Sequence, residues 1–378
     1  MIRSYKIRLY PTKEQEQKMW QHIGACRYIW NYMLALQQSR YENGEKHLSR
    51  FDMIKRLTPL KKEPDKLWLK EVSNASLAVV CTDLSKGYDR FFKKLSRHPK
   101  FKSRKKSKPN FPVRNSYLCF DGRQVNIEKV GKVKYKTDFK ILLGKGNRFT
   151  NPRVLYRNGK WLLGFGMECE NQTSVLTDKP MGIDLGIKET MTVAYGDESI
   201  VFHNINKSRS IRLLNKRIKH LRRSISRKYE ANKQGKEYIK TRNIERAEDK
   251  LRKLYAHLTG IRNNYNHQCT HKLVSLLPSR VVMEDLNVQG MLKNKHLSRA
   301  IIEQCFYEIT RQMKYKCEWN NIPFYQADRF YPSSKTCCKC GCVKNDLKLK
   351  DRTYICSECG NVIDRDLNAA INLQKYIG

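Results

Sequence analysis

Acid is what this chain has little of: 36 Asp and Glu face 76 Lys and Arg over 378 residues, a formal net charge of +40 at pH 7. An excess of that size says nothing about fold, but it strongly favours a polyanionic partner. Long apolar runs are missing too. No stretch approaches the roughly 18 residues of a membrane span, and the opening Met1-Ile-Arg-Ser-Tyr-Lys6 lacks the apolar region of a signal peptide. Both absences argue against an anionic membrane as the partner and place the chain inside the cell. No internal repeat is visible. The length allows two or three domains with ample core for each, and a hydrophobic content of 40% is ordinary for globular protein.

Three short patches in the second half of the chain carry acids that stand out: Met181-Gly-Ile-Asp-Leu-Gly-Ile-Lys188, Val281-Val-Met-Glu-Asp-Leu-Asn287 and Asp364-Arg-Asp-Leu-Asn-Ala-Ala370. A basic protein that keeps carboxylates at the ends of apolar strands is holding them for metal. Metal beside a basic surface points to phosphodiester chemistry on nucleic acid. Gly182 and Gly186 flank Asp184, and the expectation is that they let a phosphate backbone approach closely. If the strand at 281 continues, Glu284 and Asp285 point to opposite faces. Glu284 keeps the register, and Asp285 is expected to cap the turn that follows. Asp364 and Asp366 are both candidates, with Asp366 at a helix entry where N-capping is the simpler explanation. Three such carboxylates converging can hold two Mg²⁺ ions through oxygen ligands, about 4 Å apart.

Thirteen cysteines inside a cell suggest metal rather than disulfides, and six of them, 337, 338, 340, 342, 356 and 359, crowd into 23 residues. Cys337-x2-Cys340 and Cys356-x2-Cys359 have the spacing of a four-cysteine zinc ribbon. Gly341 and Gly360 follow the two knuckles and leave room for backbone amides to turn toward the thiolates. Cys338 and Cys342 keep the ligand set open, although Cys340-x-Cys342 is poorer knuckle spacing. Four thiolates leave no open position for water, so the zinc is expected to be structural. The remaining cysteines read as small buried hydrophobes.

Along the chain, Tyr5, Ile7 and Leu9 alternate with Lys6 and Arg8 in a half-buried strand. Thr12 and Gln15 form a capping box that opens a helix through Met19, Ile23, Cys26, Trp30, Met33 and Leu34. Further helical pattern covers about 47–57 and 74–95. The stretch from Arg97 to Pro112 interleaves the bases of Arg97 to Lys108 with Phe101 and Phe111, a composition suited to stacking and phosphate contact together. Its candidate nucleic-acid contacts are Lys100, Lys102, Arg104, Lys105, Lys106 and Lys108. Residues 115–175 read as strands, with a hairpin on Asn158-Gly159, and the first strand is expected to join that sheet. A second lobe begins at Thr177, with strands at 181–187 and 190–203. An antiparallel helical hairpin follows (Leu214, Ile218, Leu221, Ile225; Ile244, Ala247, Leu251, Leu254, Leu258, Ile261), turning near Asn232–Gly235. Its outer face is densely basic: Arg212, Lys216, Arg217, Lys219, Arg222, Arg223, Arg227 and Lys228. Then come a strand at 280–284, a helix at 298–319, a strand at 323–328 and a helix from about 366. Strands alternating with helices imply a mixed α/β core.

Taken in order, Gly182-Ile-Asp-Leu-Gly186, Val282-Met-Glu-Asp-Leu-Asn287, Ser333-Ser-Lys-Thr-Cys337, the two knuckles and Asp364-Arg-Asp-Leu-Asn-Ala-Ala-Ile-Asn372 resemble the TnpB family. These are transposon-encoded RNA-guided nucleases similar to the type V CRISPR effectors. Ile7-Arg-Leu-Tyr-Pro11 and Cys26-Arg-Tyr-Ile-Trp-Asn31 extend the likeness over essentially the whole chain. The resemblance implies an α/β plus α+β multidomain protein. A RuvC-like, RNase H-type nuclease core would cover 179–336 and 360–378, with a zinc ribbon at 337–359 inserted before the last acid. A wedge β-barrel of 1–10 and 110–178 would carry a helical recognition insert at 11–109. It selects Asp366 over Asp364, so the implied catalytic, Mg²⁺-binding set is Asp184, Glu284 and Asp366. The implied zinc ligands are Cys337, Cys340, Cys356 and Cys359.

The implied activity is Mg²⁺-dependent cutting of double-stranded DNA beside a short adjacent motif. One protein carries one transposon-derived guide RNA, and a single site cuts both strands in turn. The implied location is cytoplasmic, nucleoid-associated when on DNA. Base pairing would supply specificity while the protein reads backbone shape. A nuclease-silent RNA-guided repressor would lack an acid, and none is missing. A zinc-ribbon accessory of transposition would not need the acids. A branched-DNA resolvase would not need the large basic N-terminal half. A transposase proper would need a recombinase partner or a Tyr or Ser nucleophile motif, and the sequence has neither.

Overall fold

The structure, a computed structural model, describes residues 2–136, 149–169, 174–348 and 351–377. The parts of the 115–175 strand region at 137–148 and 170–173 lie outside the described residues. The chain divides into two units, residues 1–170 and 171–378.

In the first unit, β1 (Ile2–Tyr10) turns Ile7 and Leu9 into the core and leaves Lys6 and Arg8 exposed. It pairs antiparallel with β5 (Gly131–Lys136) and β7 (Lys160–Glu168). Around these three, β2 (Asn110–Pro112), β3 (Cys119–Asp121), β4 (Gln124–Ile127) and β6 (Phe149–Arg157) complete a seven-stranded sheet ordered β2-β6-β7-β1-β5-β4-β3. The sheet curls: Phe120 of β3 meets Phe149 of β6 and Phe165 of β7 with ring centroids 5.3 and 5.5 Å apart. The β6–β7 turn places Asn158 and Gly159 at φ +52° and +75°, the doubly positive pair that a two-residue hairpin needs. Between β1 and β2 come α1 (Lys13–Glu42), opened by the Thr12–Gln15 capping box, short helices α2 (Arg50–Lys55) and α3 (Leu57–Leu60), and α4 (Asn74–Phe92). Helices and sheet share one apolar core.

In the second unit the sheet order is β10-β9-β8-β13-β14. Strands β8 (Met181–Leu185), β9 (Glu189–Tyr195) and β10 (Glu198–His203) are antiparallel neighbours, with Gly196 at φ +57° in the last turn. Helices α5 (Arg209–Ala231) and α6 (Arg242–Ser275) form the hairpin, joined through the two-residue strands β11 (Lys233–Gln234) and β12 (Glu237–Tyr238). Ile211, Leu214, Ile218 and Leu258 fill their seam. Of the basic face, Lys228 alone is half-buried and the other seven side chains are exposed. Strand β13 (Val281–Glu284) then lies parallel to β8, and α7 (Val288–Met291), α8 (Ser298–Gln304) and α9 (Phe306–Trp319) lead to β14 (Phe324–Ala327), parallel to β13. The single helix expected over 298–319 breaks at Cys305, left-handed at φ +57°. The break lets buried Gln304 face the β8–β9 loop, where its Nε2 donates to the Ile187 carbonyl at 3.0 Å. Strands β15 (Thr353–Ile355) and β16 (Val362–Asp364) pair antiparallel, and α10 (Arg365–Lys375) follows directly.

Helices cover both faces of this sheet. Val281 and Met283 face α6 and α9, whereas Val282 packs with Leu373 of α10. Since strand side chains alternate, the residues that share a face with Val282 and Gly182 look toward α10. Those are Glu284 and Asp184.

Gly182 itself corrects the expectation. A Cβ there would run into the backbone of Ala370 and Gln374, so the space belongs to α10 and not to a phosphate backbone. Gly182→Ala should therefore cost roughly 1–3 kcal/mol or more through overpacking. Gly260→Ala, in α6 with nothing within 4 Å of its would-be Cβ, should gain about 0.5–1 kcal/mol from helix propensity. Thermal unfolding of the two variants checks the contrast.

Candidate active site and metal centre

Asp184 stands at the end of β8 with only 9% of its surface exposed. Its carboxyl is pushed well above the usual carboxylate range, first by burial, then by a hydrogen bond with Glu284 and by the charges of Glu284 and Asp366; Arg365 pulls the other way. Glu284, from the parallel strand β13, and Asp366, from α10, thus lie within electrostatic reach of Asp184. Asp366 has its own cations: Arg365 Nη2 lies 3.2 Å from Oδ1, and Arg352 Nη1 lies 3.6 Å from Oδ2. Gly186 is at this centre, with its would-be Cβ 4.0 Å from Asp366 Oδ2.

The two neighbouring acids do other work. Asp364 is the N-cap of α10 and accepts from the Asp366 and Leu367 N–H groups at 2.9 and 3.1 Å. Asp285 caps nothing: it accepts from Arg329 Nη2 and Nε at 2.6 and 3.0 Å, and Asn287 caps α7 instead, accepting from Gly290 N–H at 3.0 Å. The strand stops at Glu284, which frees Asp285 from the sheet's alternation.

The three carboxyls offer oxygen ligands of the kind a hard divalent cation takes, but among the described residues it is the four cysteines, and not these acids, whose ligand atoms are drawn together closely enough to hold an ion as they stand. Buried like charges repel, and a bound dication reverses that logic.

The Sγ atoms of Cys337, Cys340, Cys356 and Cys359 lie within 4.8 Å of one another, with Cys337 to Cys359 at 3.7 Å and Cys340 to Cys356 at 3.5 Å. A zinc–sulfur bond of about 2.3 Å in a tetrahedron gives an edge near 3.8 Å, so the set fits zinc. Gly341 and Gly360, at φ +79° and +66°, close the knuckles by donating to the Cys337 and Cys356 carbonyls. The Cys356 thiol is held below its ordinary value, first by the backbone N–H of Cys359, against the effect of burial. Cys338 and Cys342 fall outside that set, although Cys342 lies within hydrogen-bond reach of Cys356. Cys338 Sγ receives Asn361 Nδ2 at 3.7 Å, and Cys342 packs beside Tyr354.

The sequence motif contains Asn368 and Asn372 but does not say what they do. Both are buried on α10. Asn368 accepts from Cys338 N–H at 2.9 Å and donates to the Thr336 carbonyl at 2.7 Å, and Asn372 donates to the Ser333 and Thr336 carbonyls at 2.7 and 2.6 Å. Amides four residues apart on an otherwise apolar helix face were the available signal.

In the basic segment of the first unit, Lys100, Arg104, Lys105, Lys106 and Lys108 are exposed. Lys102 is not free in the same way. Its ammonium sits 3.4 Å from the centre of the Trp30 ring, its backbone exchanges hydrogen bonds with the Asn31 side chain, and burial pulls its pKa down to about 8. Phe101 is exposed, but Phe111 is buried in the core beside His22 and cannot stack on a base.

Three family models match: "Helix-turn-helix domain" over residues 1–46, "Probable transposase" over 165–295 and "Cas12f1-like, TNB domain" over 306–373. A Streptomyces pristinaespiralis protein named "Putative RNA-guided DNA endonuclease" is 30% identical over 98% of this chain and 88% of its own length. The chain belongs to the TnpB family. An Escherichia coli relative, "Putative RNA-guided DNA endonuclease InsQ", is 27% identical over 98% of this chain and 91% of its own. The solved structure titled "Cryo-EM structure of the Cas12f1-sgRNA-target DNA complex" matches at 15% identity and a TM-score of 0.38, covering 99% of both chains. This TnpB-family chain departs locally from the first description, since residues 2–10 are a strand and 13–42 one unbroken helix.

Metal analysis of single variants tests the cysteine set. About one zinc per chain should remain in Cys338→Ser and Cys342→Ser and be lost in Cys337→Ser and Cys359→Ser. Zinc loss in Cys342→Ser would overturn the assignment.

Proposed function

We propose that this chain is an RNA-guided, Mg²⁺-dependent DNA endonuclease whose acid centre is Asp184, Glu284 and Asp366. The observation that carries the reading is the convergence of those carboxyls at the carboxyl ends of β8 and β13 in a chain of charge +40. Membership of the TnpB family supports it, as do relatives named for RNA-guided DNA cutting. The mixed sheet β10-β9-β8-β13-β14 supports an RNase H-type, RuvC-like core over 179–336 and 360–378. The curled sheet of the first unit supports a wedge barrel from 1–10 and 110–178 with a helical insert at 11–109. Cys337, Cys340, Cys356 and Cys359 are the proposed structural zinc ligands of a ribbon at 337–359.

Two Mg²⁺ ions held by the three acids would supply an activated water and a counter-charge for the leaving oxygen. The protein's part is placement. Asp184 is fixed by burial, Glu284 by the end of β13, and Asp366 by Arg365 and Arg352. A transposon-derived RNA would pair with one strand of double-stranded DNA next to a short motif, and one site would cut both strands in turn. No helix among the described residues is long and apolar enough to cross a membrane. We place the protein where its nucleic acids are, in the cytoplasm.

Asp184→Ala, Glu284→Ala and Asp366→Ala should each abolish Mg²⁺-dependent cutting while the co-purifying RNA stays bound. Asp364→Ala should keep cutting and lose roughly 0.5–2 kcal/mol of stability with its cap. Cleavage and unfolding assays read both, and an active Asp366→Ala beside a dead Asp364→Ala would overturn the third assignment.

The exposed bases of the first unit are proposed to hold the RNA or heteroduplex backbone. Replacing Arg104, Lys105, Lys106 and Lys108 by Ala should weaken RNA binding and flatten its salt dependence by roughly 0.7–0.9 for each phosphate no longer neutralised. Titrations at several salt concentrations test this. Parallel lines for wild type and variant would rule the segment out. Lys102 belongs outside that set because its ammonium is engaged with Trp30.

A further inference from the structure

We propose that Phe330 is a stacking platform for an unpaired DNA base beside the acid centre, an inference that rests on the reading of Asp184, Glu284 and Asp366 as that centre. Strand β14 ends at Ala327, which stands opposite Glu284 in the parallel ladder. Neighbouring strands are about 4.8 Å apart, so the chain leaves β14 roughly two strand spacings from Asp184. The next four residues form a turn closed by Tyr331 N–H donating to the Asp328 carbonyl at 2.9 Å. Arg329 and Phe330 are its two central residues. Arg329 folds back onto Asp285, next to Glu284, while Phe330 stands in solvent with 92% of its surface exposed.

The turn is held from behind. The Tyr331 ring packs edge-on against Tyr376 at 4.9 Å, its hydroxyl donates to the Asn372 carbonyl at 3.3 Å, and Asp328 N–H donates to the Tyr376 hydroxyl at 3.4 Å. Those partners belong to the segment that carries Asp366, so Phe330 is tied both to the helix of one acid and to the neighbour of another. Single exposed apolar side chains are ordinary on protein surfaces. What sets this one apart is its place at the carboxyl edge of parallel strands, where sheets of this kind take ligands.

An acid centre also creates a need that Phe330 meets. Three carboxyls repel the phosphates they must act on, so a strand needs holding by something other than its backbone at that point. The one nearby cation on this turn, Arg329, is already paired with Asp285. An aromatic face holds a base without regard to charge or sequence, which suits a site that has to accept whatever sequence is delivered to it.

The test uses the full-length protein with its co-purifying RNA and a single-stranded oligodeoxynucleotide carrying 2-aminopurine, without added Mg²⁺ so that nothing is cut. Wild type should quench the probe. Phe330→Ala should lose that part of the quenching and bind roughly 5- to 150-fold more weakly, the range for one stacked base. Phe330→Trp should restore both. With Mg²⁺, Phe330→Ala should lower kcat/KM for single-strand cutting by a similar factor while its zinc content and Tm stay at wild-type values. Unchanged quenching and affinity in Phe330→Ala would overturn the proposal. Phe330-dependent quenching in a wild-type protein that shows no Mg²⁺-dependent cutting would support the platform and overturn the acid-centre reading instead.

Discussion

Helix α10 lies against β8 so closely that its backbone fills the space of a side chain at residue 182. The rest of the second unit depends on that approach. Gly182 and Asp184 share a face of β8, so the helix that fits against the glycine arrives one pleat below the aspartate. Asp366, in the first turn of the same helix, then comes within electrostatic reach of Asp184. Glu284 completes the group because β13 pairs with β8 in a register that sets Met283 beside Ile183. A side chain at 182 would push the helix away and open the acid group from one side, with no change in any acid.

Charge makes this arrangement unusual and also explains it. The chain is basic enough to draw a polyanion from many directions, and screening confines each exposed charge to about 8 Å at physiological salt. In the second unit Asp184, Glu284 and Asp366 form a small region of opposite sign. Asp184 responds by holding its proton more tightly, chiefly because it is buried. Arg365 and Arg352 offset part of the repulsion at Asp366, but both are monovalent and sit on one carboxyl. On the proposed reading, basic charge serves affinity and the acids serve chemistry, two requirements that conflict at the level of composition.

Local regularities were legible in the sequence. Alternation in Val281-Val-Met-Glu put Glu284 on a defined face, the knuckle spacing gave the four thiols, and Asn158-Gly159 gave its hairpin. Thr12 and Gln15 gave their capping box. What failed has a common cause, since the missing information lay far along the chain. Gly182 looked like room for substrate because nothing in its neighbourhood says that residues near 370 occupy the space. Phe111 looked like a stacking ring among bases because its burial beside His22 is a tertiary fact. Asp285 looked like a cap because Arg329 is 44 residues away. Asp364 and Asp366 could not be separated by spacing, as both fall at the same helix entry. Family resemblance chose Asp366; in the structure Asp364 caps its own helix, while Asp366 lies within electrostatic reach of Asp184.

The cysteine ribbon is more than an appendage. Its own apolar core amounts to Tyr354, two of the cysteines and a few half-buried neighbours, too little to hold a fold by burial alone, which is the usual reason small modules take a metal. Yet it is wired to the acid centre in three ways. Strand β16 runs straight into α10, Asn368 and Asn372 clamp the stretch before the first knuckle, and Arg352 reaches from the ribbon to Asp366. Arg365 N–H also donates to the Arg352 carbonyl at 2.8 Å, one residue from Asp366. Loosening the ribbon would therefore release the first turn of α10 and remove a cation from Asp366 at the same time. Through these contacts the four-thiol ribbon is coupled to the first turn of the helix whose carboxyl is proposed to act on substrate.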